Sequence, residues 1–80
     1  MERTLHQLRP GETGVVDCVR GEEALRVRLY DMGLTPGATV QVVRRAPLGD
    51  PVQIRLRGYG LTLRRSAAQG VILRAKERLS

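Results

Sequence analysis

The most informative part of the sequence is the stretch Arg28-Leu29-Tyr30-Asp31-Met32-Gly33-Leu34-Thr35-Pro36-Gly37. It completes a pattern that begins at Glu22, in which apolar residues recur at spacings of three and four, as on an amphipathic helix. Gly33 stands where a residue with positive φ ends such a helix, and Pro36-Gly37 is typical of a tight turn. The stretch therefore predicts a helix that ends near Gly33 and a sharp turn into a strand.

The predicted helix has two apolar stripes. Leu25, Leu29 and Met32 form the stripe that we expect the core to bury, because a chain with few large apolar residues cannot leave all three in water. Val27 and Tyr30 lie on the adjoining stripe, which should stay partly exposed. The helix is thus expected to present an apolar edge to solvent.

Short strands bounded by Gly and Pro surround this helix. Residues 52–57 alternate between apolar and polar most clearly, and Gly58-Tyr59-Gly60 is short enough for a hairpin turn after them. Residues 14–20 alternate imperfectly, which allows a bulge, and residues 66–70 predict a single helical turn. The predicted strands are 14–20, 38–44, 52–57, 61–64 and 71–74.

These elements predict an all-β domain with one α-helix after the first strand. A flat sheet of five strands would leave two edges and one face uncovered, so we expect a small five-stranded barrel. At 80 residues the whole chain, 1–80, should form one domain. Tyr30 and Tyr59 are its only aromatic residues, so aliphatic side chains must supply the core, and aromatic-lined grooves are nearly excluded.

The charge of the chain is strongly basic. Fourteen Lys and Arg against eight Asp and Glu give a net charge of +6, which would attract phosphates or an acidic protein face. Arg55, Arg57 and Arg64 are expected on the outer face of one hairpin. A basic nucleic-acid-binding barrel is therefore the alternative function, although such barrels stack bases on aromatics and this hairpin's strands carry none.

Residues that could carry catalysis or hold a metal are few. Cys18 and His6 lie on different predicted elements with no third group to orient them, and Asp17, Asp31 and Asp50 are far apart. The spacings that are typical of metal sites are absent from the sequence. We therefore expect no enzymatic activity, no catalytic residue, no metal site and no cofactor.

The compartment follows from the same residues. Cys18 has no second cysteine with which to form a disulfide, and a small secreted domain would normally need several. Residues 1–7 carry no apolar run of the kind found in signal peptides or anchors. We expect a cytoplasmic protein.

The stretch 28–37, followed by Ala46-Pro47-Leu48-Gly49-Asp50-Pro51 and Leu61-Thr62-Leu63-Arg64, resembles the FeoA family, ferrous iron transport protein A of bacteria. The resemblance extends roughly from Leu5 to Leu73. It implies an SH3-like barrel without enzymatic activity. It also implies a cytoplasmic accessory protein of FeoB, the Fe(II) transporter with a cytosolic G-protein domain, and membrane contact only through that transporter.

The residues of this motif have structural explanations first, since turns demand these residue types. Leu48 is different, because an apolar side chain at the tip of a proline-stiffened loop either folds back over the barrel or presents a knob to a partner. The structural motif residues are Gly33, Pro36, Gly37, Pro47, Gly49, Asp50 and Pro51.

We expect the partner surface on the exposed helix stripe and on this loop. Val27, Tyr30 and Leu48 would supply apolar anchors, with Arg26 as a polar rim. The partner would be the cytosolic region of a FeoB-type transporter, and nucleic acid is disfavoured. Weak self-association through an unpaired barrel edge is also expected.

Overall fold

A computed structural model describes residues 3–74, and six strands form one antiparallel sheet in the order β1-β6-β2-β3-β4-β5. The strands are β1 (Arg3–Thr4), β2 (Thr13–Val19), β3 (Thr39–Arg45), β4 (Val52–Leu56), β5 (Tyr59–Leu63) and β6 (Val71–Leu73). The helices are a 3-10 turn (Leu5–Gln7), α1 (Glu23–Asp31) and α2 (Arg65–Gly70). The predicted class, an all-β fold with one main helix after the first long strand, is confirmed.

The structure differs from the expected five strands at the ends of the sheet. The five predicted strands correspond to β2–β6, and β1 is an additional two-residue strand that pairs with β6. As the terminal strands of the order, β1 and β5 form the edges of this sheet. Weak self-association through such an edge stays a prediction.

The hairpin turn between β4 and β5 lies one residue earlier than predicted. Leu56 pairs with Tyr59, which leaves Arg57 and Gly58 as a two-residue turn and makes Tyr59 the first residue of β5. Both turn residues have positive φ, +52° and +86°, as a type I′ turn requires. This turn prevails because its twist matches that of the flanking strands, even though Arg57 must adopt a conformation that favours glycine.

Two bulges change which way the side chains of the long strands point. The register of β2 against β6 shifts between Val16 and Cys18, which confirms a bulge in this strand. A second shift, in β3 against β4, lies between Val42 and Arg44, so Val43 is an extra residue. After it Arg44 is exposed opposite Gln53, although strict alternation from Val42 would turn it inward.

The core is aliphatic, as the composition predicts. On β4, Val52, Ile54 and Leu56 are fully buried while Gln53 and Arg55 are exposed, which confirms the predicted alternation. The other largest fully buried side chains are Leu5, Leu8, Val16, Leu29, Leu34, Val40, Val42 and Val71.

Helix α1 ends as the sequence predicts. The N–H of Leu34 donates to the carbonyl of Leu29 at 3.0 Å, and the N–H of Gly33 donates to the carbonyl of Tyr30 at 2.9 Å. These two bonds, with a φ of +104° at Gly33, are the Schellman motif. On the inner stripe only Leu29 is fully buried, whereas Leu25 and Met32 are only partly buried and pack against the core, which corrects the expectation that the barrel buries all three.

Candidate partner-binding surface

The predicted binding residues on α1 differ in how exposed they are. Val27 is 50% exposed and Arg26 is also exposed, so both are available to a partner. Tyr30 is partly buried and packs against the core, and its hydroxyl oxygen accepts a hydrogen bond from the N–H of Val19 at 3.4 Å. Tyr30 therefore joins the helix to β2 and offers a partner only part of its ring.

The loop from Ala46 to Pro51 presents Leu48 to solvent. Its side chain is 89% exposed, so Leu48 does not fold back over the barrel but projects from the loop as an apolar knob. A turn closes behind it, in which the N–H of Gly49 donates to the carbonyl of Ala46 at 2.7 Å, and the Asp50–Pro51 peptide bond is cis. The loop thus holds an exposed leucine on a hydrogen-bonded turn.

The start of α2 lies between this loop and α1. On one side, the carboxylate of Asp50 accepts a hydrogen bond from the N–H of Arg65 at 2.9 Å. On the other side, α1 and α2 enclose a groove whose floor is the buried Leu29, Leu63 and Ala67. The half-buried Leu25 and Met32 also line this α1–α2 groove, together with the exposed Arg28 and Arg64.

Sequence reasoning did not find this α1–α2 groove. The signal available was the small side chain of Ala67 in α2, opposite leucines spaced at three and four residues on α1. Small residues cannot fill the space between two elements, so the stripe of α1 is left partly open. The groove adds Leu25 and Met32 to the apolar residues near Val27.

Charged groups hold the structure near the loop. The guanidinium of Arg45 donates to the backbone carbonyls of His6 and Leu8, and its Nη1 lies 3.3 Å from Nδ1 of His6. A guanidinium can only donate, so Nδ1 must be an acceptor. Burial first, and then the positive charges of Arg45 and Arg65, lower the pKa of His6, while Asp50 opposes them. These effects favour the neutral form of His6.

The two candidate catalytic residues lie on different elements. Cys18 is a free, half-buried thiol on β2, while His6 lies in the 3-10 turn against Arg45. Within residues 3–74, no three His, Cys, Asp or Glu side chains come together as a metal centre would require. None of the helices in this part of the chain has the length and apolar character needed to cross a membrane.

The three arginines expected on one hairpin face do not share it. Arg55 is exposed on β4, but Arg57 lies in the turn at one end of the hairpin. Arg64 follows β5 at the other end and lines the α1–α2 groove. The displacement of Arg57 follows from the position of the type I′ turn.

Comparison with solved structures defines the class of protein as a small SH3-like barrel. The FeoA protein of Chlorobium tepidum is 42% identical with a TM-score of 0.83, and the match covers 89% of this chain and 68% of that one. The FeoA of Stenotrophomonas maltophilia, described as a prokaryotic SH3 domain protein complexed with zinc, is 28% identical with a TM-score of 0.79. That match covers 90% of this chain and 89% of the other.

The family model for the FeoA domain matches residues 3–75, and this chain belongs to the FeoA domain family. A curated relative from Porphyromonas gingivalis, a fusion of Fe(2+) transport protein A with the Fe(2+) transporter FeoB, is 41% identical over 64 residues. The match covers 80% of this chain but only 8% of the fusion protein. The family and the SH3-like fold implied by the sequence resemblance are thereby confirmed.

Proposed function

We propose that this chain is a non-enzymatic cytoplasmic accessory protein of a bacterial ferrous iron uptake system. It docks on the cytosolic part of a FeoB-type transporter and modulates that transporter. The observation that carries the proposal is the Porphyromonas gingivalis fusion protein, in which a segment similar to this chain is covalently joined to FeoB. A domain that is fused to a transporter in one organism is well placed to act on that transporter in another.

The docking surface in this proposal combines the outer edge of α1 with the loop. Val27 and Leu48 are the exposed apolar anchors, and Arg26 supplies a charged rim. Leu25 and Met32, which line the α1–α2 groove, add to the apolar area of α1. Apolar anchors that are surrounded by polar side chains are the usual centre of a protein interface.

The rigidity of this surface favours docking. Tyr30 fixes α1 to β2, and the hydrogen-bonded turn fixes the loop, so little conformational entropy is lost when a partner binds. A binding partner changes a G-protein domain only if its affinity differs between the nucleotide states of that domain. Modulation therefore predicts an affinity that depends on the bound nucleotide.

The test is a calorimetric titration of the full chain into the cytosolic region of a FeoB-type transporter, with GDP and with a non-hydrolysable GTP analogue. Val27→Ala and Leu48→Ala should each weaken binding by about 1 to 2 kcal/mol, the scale of interface hot spots. Thermal stability should hardly change, because both side chains are exposed. Val43→Ala is the matched control, since Val43 is 37% exposed on the outer face of β3.

Two outcomes would contradict the proposal. Absence of binding in either nucleotide state would remove the transporter as partner. The second outcome is that Val27→Ala and Leu48→Ala bind normally while changing Arg44 and Arg55 to Glu abolishes binding. That result would show that the transporter docks on the sheet and not on α1 and the loop. Tyr30→Phe keeps the ring and removes only the hydrogen bond to Val19, so it should bind like the unmodified chain.

A further inference from the structure

The outer face of β3, β4 and β5 carries polar and basic side chains in register. Arg44 lies opposite Gln53, and Gln53 lies opposite Thr62, which forms a row across the three strands. Arg55 follows in the next row, where its neighbours across the strands are Gln41 and Gly60. We call the outward positions Arg44, Gln53, Arg55 and Thr62 the arginine face, and no acidic residue stands in either row.

The bulge at Val43 is what brings Arg44 to this face. Without the extra residue, Arg44 would continue the buried series of Val40 and Val42, and Arg45 would point outward. With it, Arg45 turns toward the carbonyls of His6 and Leu8 while Arg44 is exposed. Because of this one extra residue, Arg45 bonds to the backbone inside the structure, whereas Arg44 is exposed and available to a ligand.

A cavity lies where the first row meets the loop. It is lined by Arg44, Gln53 and Thr62 on the sheet side and by Ala46, Pro47 and Pro51 on the loop side. Its volume is about 230 Å³, below the roughly 300–1,000 Å³ of pockets that enclose a drug-sized ligand. The cavity suits a small group better than a nucleotide or an organic cofactor.

The chemistry of this cavity selects an anion. It offers a guanidinium, a side-chain amide and a hydroxyl, and within residues 3–74 none of these three side chains has a hydrogen-bond or ion-pair partner. The acidic residue of the loop, Asp50, is engaged elsewhere, since its carboxylate accepts from the N–H of Arg65. Positive charge and several donors with no competing carboxylate are what a phosphate group requires.

We propose that, when Leu48 is not covered by the transporter, the arginine face binds the phosphate of an anionic phospholipid and Leu48 inserts into the membrane beside it. The family resemblance implies membrane contact only through a transporter, and this surface adds a direct contact of the barrel with the lipid. Leu48 is 89% exposed on the same loop whose Ala46, Pro47 and Pro51 line the cavity. An aliphatic tip next to basic residues matches the boundary between acyl chains and charged headgroups.

Nucleic acid fits this surface less well, although it also offers phosphates. Single strands are held by aromatic side chains on which bases stack, and the arginine face has none. Tyr59, the aromatic residue of the same hairpin, donates its hydroxyl hydrogen to the carbonyl of Met32 and is thereby held against the end of α1. The exposed leucine cannot stack on bases as an aromatic side chain does, whereas it can insert among the acyl chains of a bilayer.

The test is co-sedimentation of the full chain with vesicles of phosphatidylglycerol and phosphatidylcholine, with pure phosphatidylcholine vesicles for comparison. Binding should require the anionic lipid and weaken with added salt. Arg44→Gln should weaken it roughly fivefold, Arg44→Gln with Arg55→Gln further, and Leu48→Ser severalfold. Arg57→Gln removes the same charge at the turn end of the hairpin, away from the loop, and should leave binding nearly unchanged.

Several results would overturn this inference. Equal losses in Arg57→Gln and Arg44→Gln would mean that net charge alone attracts the chain to the vesicles. Nuclear magnetic resonance shifts at Arg44 and Thr62 with inorganic phosphate, but no vesicle binding, would mean a site for the free anion. Arg44-dependent binding of single-stranded RNA without vesicle binding would mean a nucleic-acid surface. The assay contains no transporter, so its failure is distinguishable from failure of the proposed docking.

Discussion

The two ends of the β3–β4–β5 sheet are fixed by different kinds of contact. At the turn end, where Arg57 and Gly58 connect β4 to β5, the contacts are close and uncharged. A Cβ atom on Gly33 would lie 3.0 Å from Oη of Tyr59 and 3.1 Å from Cδ2 of Leu56. The same tyrosine donates a hydrogen bond to the carbonyl of Met32. Backbone conformation and packing therefore join the end of α1 to the hairpin.

At the loop end, where residues 46–51 connect β3 to β4, charged side chains bond to the backbone. Arg45 donates to the carbonyls of His6 and Leu8, and Asp50 accepts from the N–H of Arg65. Glycine is not closely packed here, since a Cβ atom on Gly49 would meet no other atom within 4 Å. From this comparison we expect the stability of the chain to depend on side-chain size and backbone conformation at the turn end, and on protonation at the loop end.

The largest effect is expected from Gly33→Ala at the turn end. The substitution combines the strain of a positive φ of +104° with the close contacts to Tyr59 and Leu56, and should cost about 2 to 3 kcal/mol. Urea denaturation measures the loss. Gly49→Ala at the loop end is the control, because its φ is +80° but its surroundings are open, so it should cost only about 1 kcal/mol. Equal losses at both positions would show that packing does not distinguish the two ends.

A smaller effect, of opposite sign, is expected from Arg57→Asn. Asn adopts the positive φ of a type I′ turn more readily than Arg, and Asn-Gly is the preferred pair for this turn. The substitution should stabilise the chain by about 0.5 to 1 kcal/mol in urea denaturation. Arg57→Gln removes the same charge without the conformational preference. If it stabilised the chain equally, relief of charge repulsion would be the cause, and the turn end would not be free of electrostatics.

The smallest effect is a pH dependence at the loop end. Because the pKa of His6 is lowered in the folded chain, the unfolded chain takes up its proton first as the pH falls through the ordinary value of 6.5. Stability should therefore be complete above that pH, decrease below it, and level off once the pH is below the folded pKa. His6→Gln should remove this decrease in stability curves measured across the range.

Arg57→Asn at the turn end should keep the same pH dependence as the unmodified chain. A weaker dependence of stability on pH in that variant would contradict the view that the two ends are stabilised independently. A decrease that survives in His6→Gln would assign the protonation to another group.

The sequence predicts those parts of the fold that depend on neighbouring residues. The alternation from Val52 to Leu56, the Schellman end at Gly33 and the exposure of Val27 each follow from a short stretch of chain. The bulge in β2 was also indicated, by its broken alternation. The class of fold follows from these elements together.

The features that were missed depend on how elements pair with one another. The two-residue strand β1 exists because β6 pairs with it, and the extra residue Val43 is visible only in the register of β3 against β4. The position of the turn at Arg57 results from strand twist, which residue types alone do not specify. The α1–α2 groove and the cavity beside Arg44 each join residues from several elements, so their positions could not be predicted, although the small Ala67 was a signal for the groove.

The position of β6 in the sheet sets the order in which a ribosome can complete this domain. Its Leu73 pairs with Arg3 in β1 and with Val16 in β2, so strands from opposite ends of the described chain meet there. The β3–β4–β5 meander needs only local pairing and can assemble while later residues are still in the exit tunnel. The domain closes only after β6 has emerged, and from that point we expect roughly milliseconds to seconds for folding, as in other barrels dominated by distant pairings.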